Sequence, residues 1–196
     1  MADDDVLTIY RDGLDFFGST VQAVPDGAWR RSSPCAGWTA LDVLGHVGET
    51  TRLGAVILKG EPFEPSSYDP PGTAVDGDPA FWWNQQAAKA RQTLGDGVDL
   101  DREVDSPMGR RTVREGLSFP AADLYLHGWD LGTATGQQVV IPDEAIAFIR
   151  GMFAYIPEDA ARRPGVFDAA KPAPEGASPT EELIAFTGRD PRHVGG

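Results

Sequence analysis

A single cysteine, Cys35, in 196 residues rules out an internal disulfide framework and a cysteine-rich zinc site. Any transition metal would have to be held by histidine and carboxylate. Positive charge is scarce as well: 17 Lys and Arg against 30 Asp and Glu leave a formal charge of −13, and only Lys59, Lys89 and Lys171 are lysine. Nucleic acids and anionic membranes are bound by clustered cations, so neither is an expected partner. No apolar run approaches the ~20 residues a membrane span needs. The acidic start, Met1-Ala2-Asp3-Asp4-Asp5, is unlike the basic head of a secretory signal, and the expected compartment is the cytoplasm. There is no Gly-rich phosphate loop after a strand and no Gly-x-Ser-x-Gly, which removes support for nucleotide-dependent and serine-hydrolase readings.

What the chain does have is helical periodicity. Val6, Ile9, Tyr10, Phe16, Phe17, Val21 and Val24 recur at helical spacing from about Asp5, until Pro25-Asp26-Gly27 stops them. After a connector from Trp29 to Gly37, Thr39-x-x-Asp42 reads as a capping box that opens a second helix running to Lys59 and ending at Gly60. Residues 61–78, with Pro62, Pro65, Pro70 and Pro71, read as a covering loop. Asp78-Pro79 starts a third helix, expected from Ala80 to Leu94, that should carry Phe81, Trp82 and Trp83 into the interior. Arg102 to Arg111 holds a Ser106-Pro107-Met108-Gly109 turn, consistent with a short hairpin or an irregular crossover. A fourth helix spans roughly Thr112 to Ala134, with Pro120 expected to kink it or to mark a new start at Ser118. Pro142-Asp143-Glu144 opens a fifth helix to about Tyr155, and a short stretch from Thr180 to Phe186 lies in a proline-rich tail. The expected fold is all-α: a four-helix bundle with one long crossover, a small hairpin and a wrapping C-terminal segment. Residues 1–156 form the bundle in this reading, and residues 157–196 pack on it without making a second domain.

Two of the three histidines, His46 and His127, sit among apolar residues inside these helices, where an unpaired imidazole is costly to bury. The third, His193, lies in a Gly-rich tail. Asp123 and His127 are four apart and project from one helical face. With His46 from a facing helix they would give three ligands and leave a position open for water or substrate, as in a catalytic metal site. Asp130, one turn beyond His127, either orients that imidazole from behind or caps a neighbouring helix. Asp42 also precedes a histidine by four residues, but its place in the capping box is explanation enough. Cys35 reads as a small buried hydrophobe before a helix start.

Three segments resemble the DinB/YfiT-like metal-binding four-helix bundles, and within them the group containing mycothiol-dependent maleylpyruvate isomerase. They are Ser33-Pro34-Cys35-Ala36-Gly37-Trp38 continuing to His46, Asp123 to Gly136 around His127, and the closing Gly188-Arg189-Asp190-Pro191. The last is similar to the tail of a bacterial subgroup known mainly as metal-binding proteins. The resemblance implies a metal held by His46, Asp123 and His127, with Asp123 standing where the isomerase has glutamate, so that the shorter carboxylate either reaches the ion or binds it through water. It also implies a low-molecular-weight thiol of the mycothiol type as cofactor and a small electrophilic molecule as substrate. Maleylpyruvate is not the expected substrate, because the isomerase adds a further C-terminal domain to its site. Zn²⁺ is the first expectation, and Fe²⁺ or Ni²⁺ suit the same ligands. Thiol transfer or thiol-assisted isomerisation is the expected reaction, and a homodimer is the assembly entertained. Two alternatives stay open: a non-catalytic metal-binding or ligand-binding protein on the same scaffold, and a bundle whose histidines only bond to carboxylates.

Overall fold

The computed structural model describes residues 5–65, 67–95, 97–106, 109–156, 162 and 167–193. The segment at which the bundle and the C-terminal part were expected to divide, and Pro107-Met108 of the expected turn, lie outside the described residues. Among the described residues six α-helices form: α1 (Asp5–Gln22), α2 (Ala40–Lys59), α3 (Pro79–Arg91), α4 (Val113–Thr135), α5 (Asp143–Tyr155) and α6 (Pro179–Phe186). The one sheet among the described residues is an antiparallel hairpin of β1 (Glu103–Ser106) and β2 (Gly109–Thr112), in which Val104 faces Arg111. Among the described residues no helix is long and apolar enough to cross a membrane.

Helix starts follow from local side-chain chemistry. Thr39 and Asp42 form the reciprocal capping box of α2, Thr112 and Glu115 that of α4, and Ser178 and Glu181 that of α6. Asp78 accepts from the Phe81 N–H, with Pro79 in the first turn of α3. At the other end of α2, where carbonyls run out of helical donors, those of Ile57 and Leu58 accept from the Arg102 guanidinium, which ties the hairpin to that helix end.

α3 and α4 each lie against both α1 and α2. The Tyr125 hydroxyl donates to the Ile9 carbonyl, Gly13 lies against Leu124 and Phe16 against Gly128, so contacts advance together along both helices and α1 and α4 run side by side in the same direction. α2 runs against α4, with Ile57 beside Gly116 at one end and His46 beside Asp123 at the other. α2 and α3 are parallel, because Trp82 in the first turn of α3 sits on Gly48 in the middle of α2, and further along both helices Lys59 and Lys89 line one cleft. Parallel neighbours require the chain to return the whole length of α2, about 30 Å for 20 residues, and residues 60–78 make that return. The core is filled by Tyr10, Leu14, Phe17, Leu44, Trp83, Leu117, Leu124 and Leu131, all fully buried.

The crossover is pinned beside the start of α2. The Gly72 N–H donates to Asp42 Oδ1 at 3.0 Å, so one carboxylate caps the helix and anchors the return. A Cβ on Gly45 would stand 2.1 Å from the Pro71 carbonyl oxygen, closer than any side chain could approach backbone. Gly45→Ala is therefore expected to destabilise the protein by about 1–3 kcal/mol through forced displacement of the crossover. Urea unfolding checks this, and a change within about 0.5 kcal/mol would mean that the return segment is not held there.

Three expectations change. Phe81 is 63% exposed and Trp82 half-buried, and only Trp83 enters the core. Successive residues on a helix point about 100° apart, so three in a row cannot share one interior face. α3 ends at Arg91 instead of Leu94, since Thr93 and Leu94 bond back three residues, to Ala90 and Arg91, in a tightened last turn. α4 runs through Pro120 with no new start at Ser118, the missing proline N–H removing one helical donor, that to the Gly116 carbonyl.

Candidate metal centre

Three side chains expected to meet do meet. α2 carries His46 and the antiparallel α4 carries Asp123 and His127, and one ligand atom from each lies within 4.8 Å of the other two. His46 Nε2 is 3.5 Å from Asp123 Oδ2, and His127 Nε2 is 4.0 Å from Asp123 Oδ1. The imidazole rings stand edge to face with centroids 4.7 Å apart. Exposure falls inward, from 30% for the His46 side chain through 19% for Asp123 to 10% for His127, so the cluster opens to solvent on the His46 side.

Behind His127 lies Asp130, fully buried, whose Oδ2 is 2.8 Å from His127 Nδ1. Arg189 grips the same carboxylate with two nitrogens: Nε donates to Oδ1 at 2.8 Å and Nη2 to Oδ2 at 2.9 Å. Burial alone would raise the Asp130 carboxyl, but the charge of Arg189 and the His127 hydrogen bond outweigh it and hold Asp130 far below the ordinary carboxylate range. Asp130 is thus an obligate acceptor and His127 Nδ1 must be the donor, which fixes the tautomer and leaves a lone pair on Nε2. Burial also keeps the His127 imidazole below its ordinary range, and so neutral at pH 7. Burial pushes the Asp123 carboxyl up, yet His46 and His127 together bring it below its usual value. A lone pair on His127 and a carboxylate on Asp123 therefore face each other with no proton between them.

That donor set suits a divalent cation. Neutral imidazole nitrogen and ionised carboxylate are the protonation states a metal requires. Two donors each about 2.1 Å from a tetrahedral ion lie about 3.4 Å apart, and the separations here are 3.5 and 4.0 Å.

The loop before α2 supplies two residues whose part the sequence did not indicate. The Ala40 N–H donates to the Arg31 carbonyl and the Ser33 N–H to that of Trp38, closing a tight loop that presents Cys35 and Trp38 to the cluster. The Trp38 ring lies 5.0 Å from that of His46 and 6.2 Å from that of His127, forming one wall. The Cys35 thiol donates to Asp130 Oδ2 at 3.3 Å, and burial, with the neighbouring Asp130 carboxylate, pushes its pKa far above the thiol range. Cys35 is consequently a held thiol and not a thiolate nucleophile. Arg189 was equally unforeseen, although a carboxylate buried in mid-helix demands a cationic partner and the closing Gly188-Arg189-Asp190-Pro191 contains one. Asp42 stays with its capping box and Gly72, apart from the cluster.

Comparison with known proteins places this geometry in context. The family model described as mycothiol maleylpyruvate isomerase N-terminal domain matches residues 10–132. Uncharacterized proteins from two strains of Mycobacterium tuberculosis are each 27% identical over 191 residues, covering 96% of this chain and 100% of theirs. Among solved structures, the crystal structure of the mycothiol-dependent maleylpyruvate isomerase superposes with a TM-score of 0.63 at 16% identity, over 76% of this chain and 68% of that one. A histidine-to-alanine mutant of that isomerase gives a TM-score of 0.59 at 14% identity, over the same shares of the two chains. Such identities establish a shared bundle. The segment matched by the family model includes His46, Asp123, His127 and Asp130 and ends well before Arg189.

Proposed function

The chain belongs to the mycothiol maleylpyruvate isomerase N-terminal domain family, and from that premise we propose that it is a metal-dependent enzyme that applies a low-molecular-weight thiol, of the mycothiol type, to a small electrophilic substrate. The reaction is thiol transfer or thiol-assisted isomerisation. One observation carries this reading: a carboxylate and an imidazole lone pair face each other, with a second imidazole beside them, at the solvent-reaching end of a buried network.

In this reading His46, Asp123 and His127 hold the cation, with Zn²⁺ first and Fe²⁺ or Ni²⁺ suited to the same donors. When bound, such an ion lowers the pKa of a thiol that reaches it and keeps that thiol nucleophilic at neutral pH. The chain's own residues do the rest. Asp130 accepts from His127 Nδ1–H and aims Nε2 at Asp123, Arg189 keeps Asp130 ionised, and Trp38 shields one side from water. Because Cys35 is committed to Asp130 as a donor, the nucleophilic sulfur has to come from outside, which favours a thiol cofactor over catalysis by the protein's own cysteine. Residues 157–196 belong with residues 1–156 in one unit in this reading, since Arg189 completes a network begun on α4.

A second reading, non-catalytic binding of a metal or small ligand, draws on a separate observation. A cleft of about 400 Å³ between α2 and α3 and another of about 260 Å³ between α4 and α5 are lined by none of His46, Asp123 and His127. Metal-loaded protein assayed with mycothiol against a panel of activated alkenes and haloaromatics separates the two. Turnover that needs both metal and thiol, and disappears in His46→Ala, is expected. Turnover without metal defeats the proposal, and metal binding with no thiol-dependent turnover across the panel transfers the case to the binding reading.

A further inference from the structure

His127 belongs to two donor sets at once. Its Nε2 faces Asp123 and His46, while its Nδ1 side faces Asp130 and Cys35, whose Sγ is 3.8 Å from Nδ1 and 3.3 Å from Asp130 Oδ2. Each set places its ligand atoms within 4.8 Å of one another. On ligand softness the set containing sulfur is the better one for Zn²⁺ or Co²⁺. Composition alone would therefore send the ion to the wrong side of the ring.

The difference between the two sides is Arg189. α6 ends at Phe186 with Thr187 as its C-cap, and Gly188 follows with φ of 89°, its N–H donating to the Ala185 carbonyl while the Arg189 N–H donates to that of Ile184. This left-handed turn reverses the chain. A Cβ on Gly188 would lie 2.6 Å from that of Asp168, so packing as well as backbone conformation demands glycine. The turn points the Arg189 side chain back into the bundle, where Thr187 Oγ1 accepts from Nη1 at 3.2 Å and Asp130 accepts from Nε and Nη2. The guanidinium thus supplies the charge that this carboxylate would otherwise draw from a cation, and a divalent ion at the sulfur-containing set would be forced against it.

We propose that Arg189 is a positioning residue that closes the Cys35, His127 and Asp130 set to metal and so directs the ion to the opposite face of the His127 ring. This rests on the reading of His46, Asp123 and His127 as the metal ligands. The C-terminal segment, which lies beyond the part of the chain matched by the family model, then decides on which side of one imidazole the metal binds.

Cobalt is the probe, because a sulfur ligand on Co²⁺ announces itself by a near-ultraviolet thiolate-to-cobalt charge-transfer band. The purified protein titrated with Co²⁺ is expected to show no such band in wild type. Arg189→Gln, which keeps a donor to Asp130 but no charge, is expected to gain the band, and Arg189→Gln with Cys35→Ser to lose it again. Arg189→Lys, which retains the charge, should stay dark; a role limited to packing would not separate Lys from Gln in this way. A charge-transfer band in wild type overturns the proposal whatever the variants do, as does a folded Arg189→Gln that takes up cobalt without one. If wild type takes up no cobalt while Arg189→Gln takes it up through Cys35, exclusion by Arg189 stands and the reading of the His46 set falls.

Discussion

His46→Ala is expected to lose high-affinity Zn²⁺ binding while leaving the metal-free fold almost untouched. The side chain is 30% exposed and leans on Trp38 from the open side of the cluster, so truncation removes little buried surface. It removes one of three protein donors, a larger loss than that of an outer hydrogen-bond partner, which costs roughly 10–100-fold in affinity. The dissociation constant is therefore expected to rise by more than about 100-fold. Linkage makes this visible in thermal unfolding: at a free Zn²⁺ concentration 100 times its dissociation constant, wild type gains about 2.7 kcal/mol. At the same concentration the variant should gain under about 0.4 kcal/mol. Equal stabilisation of the two proteins would remove His46 from the ligand set.

The second large effect concerns the fold itself. Asp130→Ala in the metal-free protein is expected to cost about 3–5 kcal/mol, because it leaves the Arg189 guanidinium buried without its partner. It also orphans the N–H of His127 and the thiol of Cys35. Replacing both Asp130 and Arg189 by apolar residues of similar size should restore most of that loss, since the pair's attraction does little more than offset its own desolvation. Asp130 is held below its usual pKa in the folded state. Its contribution is therefore complete above the unfolded value of about 3.9 and is lost as the pH falls through and below it. His127, also held low, acts earlier: below about pH 6.5 the unfolded chain takes up a proton that the fold resists, so stability already declines there. Urea titrations from pH 8 down to pH 3 should show both limbs in wild type and a flattened acid limb in Asp130→Ala. An Asp130→Ala protein within about 1 kcal/mol of wild type at pH 7 would show that the buried network is not what holds the C-terminal segment to α4.

Local chemistry made the helices readable from sequence. Thr39 with Asp42, Asp78 with Pro79, and Gly60 each act on backbone within four residues, so their effect is written next to them. The His46 and Asp123-x-x-x-His127 pattern was readable for a related reason, since four-residue spacing fixes one helical face. What stayed hidden depends on distant parts of the chain. Arg189 reaches Asp130 across 59 positions, through a turn set by Gly188 and its contact with Asp168. Cys35 and Trp38 take their places because the loop from Arg31 to Ala40 closes on itself, which residue type alone does not disclose. The outward face of Phe81 is hidden in the sequence because three adjacent aromatics look like a single apolar signal, whereas the helix separates them by rotation. The parallel pairing of α2 with α3 was not legible: residues 61–78 read as a covering loop and the crossover was expected at Arg102 to Arg111, whereas 103–112 form a hairpin and the chain returns along residues 60–78, on a path defined by the bond from Gly72 to Asp42.

The most direct measurement is anomalous diffraction at the zinc edge from crystals soaked with one equivalent of Zn²⁺. A single peak is expected per chain, about 2.0–2.2 Å from Nε2 of His46, Nε2 of His127 and a carboxylate oxygen of Asp123. No peak at saturating zinc, or a peak bonded to the Cys35 sulfur or to surface carboxylates instead, would contradict a catalytic ion between α2 and α4.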